Sequence, residues 1–303
     1  MVPNAQGHPL ESFGFSDAGM DYRRDHRGSV LRDRSCTRNG ARERARARLL
    51  ESARGNASRR VDFSTFDALP APVARYLRYA LTDGQPLIRS ARLEQSGKLR
   101  TEPSSPRWLP FRARHCVVPP AIGFVWDASV RLPLGVRLRV ADSYVDGVGG
   151  GSVSFLSVLP VAVAARAREL DSGALHRYLA EAVWFPTALL PESGVVWSAI
   201  DDRSARATLE NGCTSVSLEF RFNDVGEVVG IYTPKRFGRF RGKSRSAGWE
   251  GRFSDYALRA GMRVPRSGEV GWYDDSGVLR MVWIGTLLDA EYGFESTDPA
   301  RER

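Results

Sequence analysis

Cysteine, histidine, lysine and long apolar runs are all scarce in this 303-residue chain, and each shortage removes a class of protein. The three cysteines, Cys36, Cys116 and Cys213, are odd in number and widely spaced, which fits neither a disulfide framework nor zinc-ligand spacing. Only His115 and His176 lie beyond residue 60, so a three-ligand metal centre would need carboxylates that the spacing does not announce. No cofactor and no metal are expected. No stretch approaches the roughly 18 to 20 apolar residues that span a bilayer, so no transmembrane segment is expected. The N-terminus lacks the basic start, apolar core and small-residue cleavage site of an export signal. A cytoplasmic protein is the expectation, with peripheral membrane association left open. Three of the 44 basic residues are lysines, a skew that fits GC-rich coding better than arginine chosen for phosphate geometry.

What is present is a turn-rich globular composition, with 42% hydrophobic residues, 29 glycines and 17 prolines. The net charge of +9 is unevenly placed: residues 1–60 hold 13 Arg against 7 Asp plus Glu, which leaves +3 for everything after. That first segment has few large apolar side chains to offset ordering entropy and reads as a disordered Arg-rich tail, or as the product of a start codon set too early. A single β-rich domain is expected over 61–303. Its near-neutral charge argues against nucleic acid as a partner.

The domain opens with a helix, in which Pro72 sits at the first turn and Val73, Tyr76, Leu77 and Ala80 share a face. Short alternating runs follow, from Ile88 to Leu99 and through "RWLPFRARHCVV", "GFVWDASVRL" and "GVRLRVADSYVDG". The alternation breaks over about 157–191, where Leu175, Tyr178, Leu179 and Val183 fall at helical spacing, Asp171 or Ser172 can cap, and Arg177 and Glu181 are spaced to pair on the outside. It resumes most clearly in "TSVSLEFRFNDVGEVVGIYT", where Val216, Leu218, Phe220 and Phe222 face in. With no βαβ rhythm, the pattern predicts an α+β protein: one large curved antiparallel sheet, a half-barrel or open barrel of about ten or eleven strands. The N-terminal helix and the central helical insertion should cover its concave face.

The segments "LPAPVARYLRYAL", "ADSYVDG", "RYLAEAVWFPTALLP" and "WEGRFSDY" resemble a family of uncharacterised bacterial proteins known as a domain of unknown function, over about 66–294. More loosely, the order of elements is similar to the half-barrel of lipoprotein-carrier proteins (LolA-like), which implies a hydrophobic groove that holds acyl chains.

Candidate chemistry is thin. Asp201-Asp202 and Asp274-Asp275 read as turns, since acid/base pairs need two carboxyls in different environments. His115 and Cys116 are neighbours on a strand and point to opposite faces. "DGVGGGS" lacks the Lys-Ser/Thr of a phosphate loop and reads as a flexible hairpin tip. The basic loop 236–245, with Phe237 and Phe240 between cations, could serve an interaction module or contact an anion. Large rings stand out instead: Trp126, Tyr178, Trp184, Phe185, Trp197, Phe220, Trp249 and Trp283 are the candidate lining of a concave cavity, and Trp272 sits among them in sequence. The expected function is binding of a lipid or other apolar ligand without catalysis. A hydrolase or isomerase using Asp201, Asp202 or Glu181 at the same pocket is the alternative. Ligand identity and oligomeric state stay open.

Overall fold

A computed structural model of the chain describes residues 47–49, 51, 59–155, 159–163, 167–240 and 243–294. Strands β1 (Ile88–Leu99), β2 (Leu109–Val118), β3 (Gly123–Arg131), β4 (Arg137–Val145), β5 (Val148–Phe155) and β6 (Leu159–Val163) form one antiparallel meander. A second meander contains β7 (Val195–Asp201), β8 (Ser204–Asn211), β9 (Thr214–Phe222), β10 (Val228–Phe240), β11 (Lys243–Arg259), β12 (Met262–Tyr273) and β13 (Leu279–Phe294). The two are joined where β1 pairs antiparallel with β13, so the sheet runs β6-β5-β4-β3-β2-β1-β13-β12-β11-β10-β9-β8-β7. The first and last described strands therefore meet in mid-sheet, and β6 and β7 are its two edges.

Side-chain period 2 decides which face turns inward. On β9, Val216, Leu218, Phe220 and Phe222 are buried, while Ser217, Glu219 and Arg221 alternate with them. Strand β3 does the same with Phe124, Trp126, Ala128 and Val130. Helix α1 (Ala71–Ala80) lays Val73, Tyr76, Leu77 and Ala80 on this face, with the Tyr76 ring 5.9 Å from that of Phe222. Arg78 turns outward to an ion pair with Asp67.

Helix α2 (Arg168–Glu181) packs inside the curve, against β4 and β5 of one arm and β9 and β10 of the other. This position explains why Gly173, Leu175, His176, Tyr178, Leu179 and Ala180 are all buried: the helix is wrapped on more than one side. The predicted cap is absent, since Ala167 stands at the N-cap. Asp171 instead accepts a 2.7 Å hydrogen bond from the Gly149 amide, which ties the helix to β5. A side chain at Gly149 would lie 2.5 Å from the Leu170 carbonyl oxygen, so only glycine admits the helix backbone this close.

The thirteen strands among the described residues exceed the ten or eleven counted from turns, and two of the extra strands have a clear physical origin. Glycines 149–151 have no side chains to alternate, so β5 was hidden inside a presumed hairpin tip, whose turn is in fact Asp146-Gly147. Strand β6 lies within the stretch assigned to the helical insertion, which begins as a helix only at Arg168. Most of the Arg-rich segment lies outside the described residues. Within it, residues 47–49 are helical and Leu49 is buried beside Val118, so part of the segment is seated on the domain.

Candidate functional site

Between α2 and the strands on either side lies a cavity of about 540 Å³. Its walls carry five indoles: Trp126 from β3, Trp184 from the turn after α2, Trp249 from β11, Trp272 from β12 and Trp283 from β13. Their rings pack in two groups. Trp184 and Trp283 have ring centroids 6.2 Å apart, Phe111 bridges Trp283 to Trp126 at 5.6 and 5.8 Å, and Trp249 lies 6.4 Å from Trp272. Two rings are held by hydrogen bonds of their indole N–H groups, Trp126 to Gln95 Oε1 and Trp184 to the Pro265 carbonyl, both 2.9 Å.

Of the eight aromatics expected at the cavity, Trp126, Trp184, Trp249 and Trp283 line it and the other four do not. Tyr178 and Phe185 pack on each other with ring centroids 5.5 Å apart and are buried. Trp197 and Phe220 form an edge-on pair at 5.2 Å, with the Trp197 N–H donated to the Leu189 carbonyl. Trp197 and Phe220 fill core at the β7 to β9 edge, whereas the Tyr178 hydroxyl reaches the Pro119 carbonyl after β2. In "WFPTALLP" two adjacent rings thus separate, because the short 3-10 turns Ala182–Trp184 and Pro186–Leu189 send Trp184 to the cavity and Phe185 away from it. Trp272 faces the cavity, and the sequence signal that could have ranked it first is its pairing directly opposite Trp249.

One part of the wall is charged. Arg177 donates to Asp142 at 2.6 Å and to Glu181 at 2.9 Å, while its guanidinium lies over Trp126 at 4.7 Å and Phe124 at 5.3 Å. The Arg177–Glu181 pair was expected on the outside of the helix. It lies inward instead, with side-chain exposures of 16% and 14%, because α2 has little outside left once both arms enclose it. Burial pushes the Glu181 carboxyl up from its ordinary range, and Arg177 opposes the shift. Behind it stands His115, fully buried, with Nε2 3.5 Å from Glu181 Oε2 and neither ring nitrogen hydrogen-bonded among the described residues. Burial first, and the Arg177 charge second, hold this imidazole neutral.

Arg236 comes from β10. Residues 236–240 and 243–245, expected as a basic loop, are instead paired arms of the β10–β11 hairpin, and Arg236 turns inward. Its guanidinium sits 4.4 Å over Trp249 and 5.0 Å over Trp272 and donates one bond, 2.9 Å, to the Gly173 carbonyl.

The remaining acidic candidates are turn residues. Asp201 accepts from the Arg203 amide, which lowers its pKa, and Asp202 is exposed. Asp274 accepts from Ser276, Val278 and Arg280. Among the described residues, no group of three His, Cys, Asp or Glu side chains is placed to hold a metal, and no helix is long and apolar enough to cross a membrane. A second concavity of about 430 Å³ lies over β1 to β4, lined by Glu94, Arg112, Arg114, Asp127, Arg137 and Arg139. There Arg139 pairs with Asp127 and Arg114 with Glu94, which leaves Arg112 and Arg137 as excess positive charge on this surface.

The family model for a family of unknown function (DUF6544) matches residues 59–284, and the chain belongs to that family. No curated protein matches. Among solved structures the chain is similar to a LolA superfamily protein from Nitrosomonas europaea, with 10% identity, 76% of this chain and 96% of that one covered, and a TM-score of 0.39. It is also similar to a β-barrel-like protein of another domain of unknown function (DUF1849) from Brucella abortus, with 10% identity, 68% and 98% covered, and a TM-score of 0.22.

Proposed function

We propose that this member of the DUF6544 family binds a lipid or another apolar ligand in the tryptophan-lined cavity and releases it unchanged. One observation carries the reading. Protein interiors are packed like organic crystals, with few voids larger than a water molecule, whereas here five indoles border about 540 Å³ of space. The space is partly open to solvent, and its volume falls within the roughly 300 to 1,000 Å³ usual for ligand pockets. The test is direct: organic extraction of purified protein followed by mass spectrometry, and titration with dodecanol while tryptophan emission is followed. Co-extracted lipid and a saturable change in emission are expected. Their joint absence would remove the reading.

A second reading, a hydrolase or isomerase at the same cavity, is favoured by Glu181 alone, a carboxyl raised by burial next to a neutral His115. The extracted ligand distinguishes the two. If incubation with protein alters it and Glu181→Gln abolishes the change, the enzyme reading replaces the first.

A further inference from the structure

Four arginines line the cavity, and the two that lie over its indoles, Arg177 and Arg236, differ in one respect. Arg177 is neutralised on the spot by Asp142 and Glu181. Arg236 has no carboxylate within ion-pair distance among the described residues. Its single hydrogen bond uses one Nη2 proton, and its Nε–H is buried without an acceptor. A guanidinium carries five N–H donors in a planar fork suited to a carboxylate or phosphate. Burying such a group without a counter-charge is costly, and here burial and the neighbouring Arg177 charge have already brought its pKa down to about 10. It is still a cation near neutral pH. The indoles of Trp249 and Trp272 stabilise it through their ring faces and fix the plane of the fork, but they accept no N–H in that plane.

We propose that Arg236 reads the head group of the ligand: the occupant is an amphipathic anion, its chain along the indoles and its carboxylate or phosphate on the Arg236 Nη1 group, which is neither bonded nor sealed off among the described residues. This rests on the apolar-ligand reading above and narrows it to a charged class. Nearby Asp142 and Glu181 do not replace such an anion, since both are already engaged by Arg177.

The experiment compares dodecanoate, dodecyl phosphate and dodecanol by calorimetry, against the wild-type protein, Arg236→Met and Arg236→Lys. Expected are at least tenfold tighter binding of one or both anions than of the alcohol, loss of that anion-to-alcohol preference in Arg236→Met, and partial preference in Arg236→Lys. Which anion binds tighter identifies the head-group chemistry. If the alcohol binds as tightly as both anions, or if Arg236→Met weakens all three ligands equally, the inference is overturned while the apolar cavity stands. If no dodecyl compound binds the wild-type protein, both fall. Thermal melts of the variants separate misfolding from a binding loss, and Arg236→Lys, which keeps the charge, supplies the decisive comparison should the methionine variant be unstable.

Discussion

His176 is a residue whose behaviour follows from where α2 lies. It is 5% exposed, its Nδ1 is 2.9 Å from the Ser172 carbonyl, and burial, followed by the charge of Arg236, brings its pKa from 6.5 down to about 4. A histidine harder to protonate when folded leaves the unfolded state binding more protons, so stability falls as pH drops from about 6.5 to about 4. The shift corresponds to about 3 kcal/mol at most. Urea unfolding between pH 7 and pH 4 should show this loss in the wild type and a flatter profile in His176→Asn. Parallel profiles would show that the ring is not neutral in the fold. Buried His115 adds a loss of the same sign and Glu181 acts in the opposite sense, its raised carboxyl costing stability as pH rises through 4.5, which is why the comparison with His176→Asn is needed. The sequence placed His176 beside an apolar stripe and Glu181 in an ion pair. It could not show that both would be enclosed, because that depends on which strands close over the helix.

At the scale of elements, strands with large side chains were legible and strands without them were not. The run from Ile88 to Leu99 matches β1 end to end, and β9 shows the expected alternation, since in both the pleat puts apolar groups on one face. Glycine hid β5. Which aromatics border space and which fill core was equally hidden, because Trp197 and Trp283 have similar local sequence and differ only in what the sheet brings opposite them. Strand β13 offers a way to test the cavity without touching its charges. A β-carbon on Gly285 would lie 2.3 Å from Trp283 Cη2, so that indole can occupy its place only over a glycine. In Gly285→Ala the ring should swing toward the open side and take up ligand volume, weakening dodecyl-chain binding on the order of tenfold, or about 1.4 kcal/mol, with a small change in Tm. Unweakened binding would mean that the ligand sits elsewhere. Leu179, fully buried on α2, should behave differently: Leu179→Ala costs about 2 to 5 kcal/mol of stability.

For the molecule as a whole, the cavity belongs to neither meander. The arm β1 to β6 supplies Trp126 and Asp142, the arm β7 to β13 supplies Trp249, Trp272, Trp283 and Arg236, and α2 with its following turn supplies Arg177, Glu181 and Trp184. A ligand that touches all three should stabilise them together. Saturating dodecanoate at 100 times its Kd is expected to raise unfolding stability by about 2.7 kcal/mol, seen as one shifted transition. Two separating transitions would assign the ligand to one arm.

The pairing of β1 with β13 also sets an order of events during synthesis. A growing chain that has passed α2 has its first arm and helix available, yet β13, the partner for β1, is translated after all the other described strands. Until the ribosome lets go of Phe294, β1 presents an unpaired edge and the indole surface of Trp126 has no opposite wall. Nascent chains therefore expose this edge until β13 has been made, and a ligand or chaperone that shields that surface would act while the second arm is being synthesised.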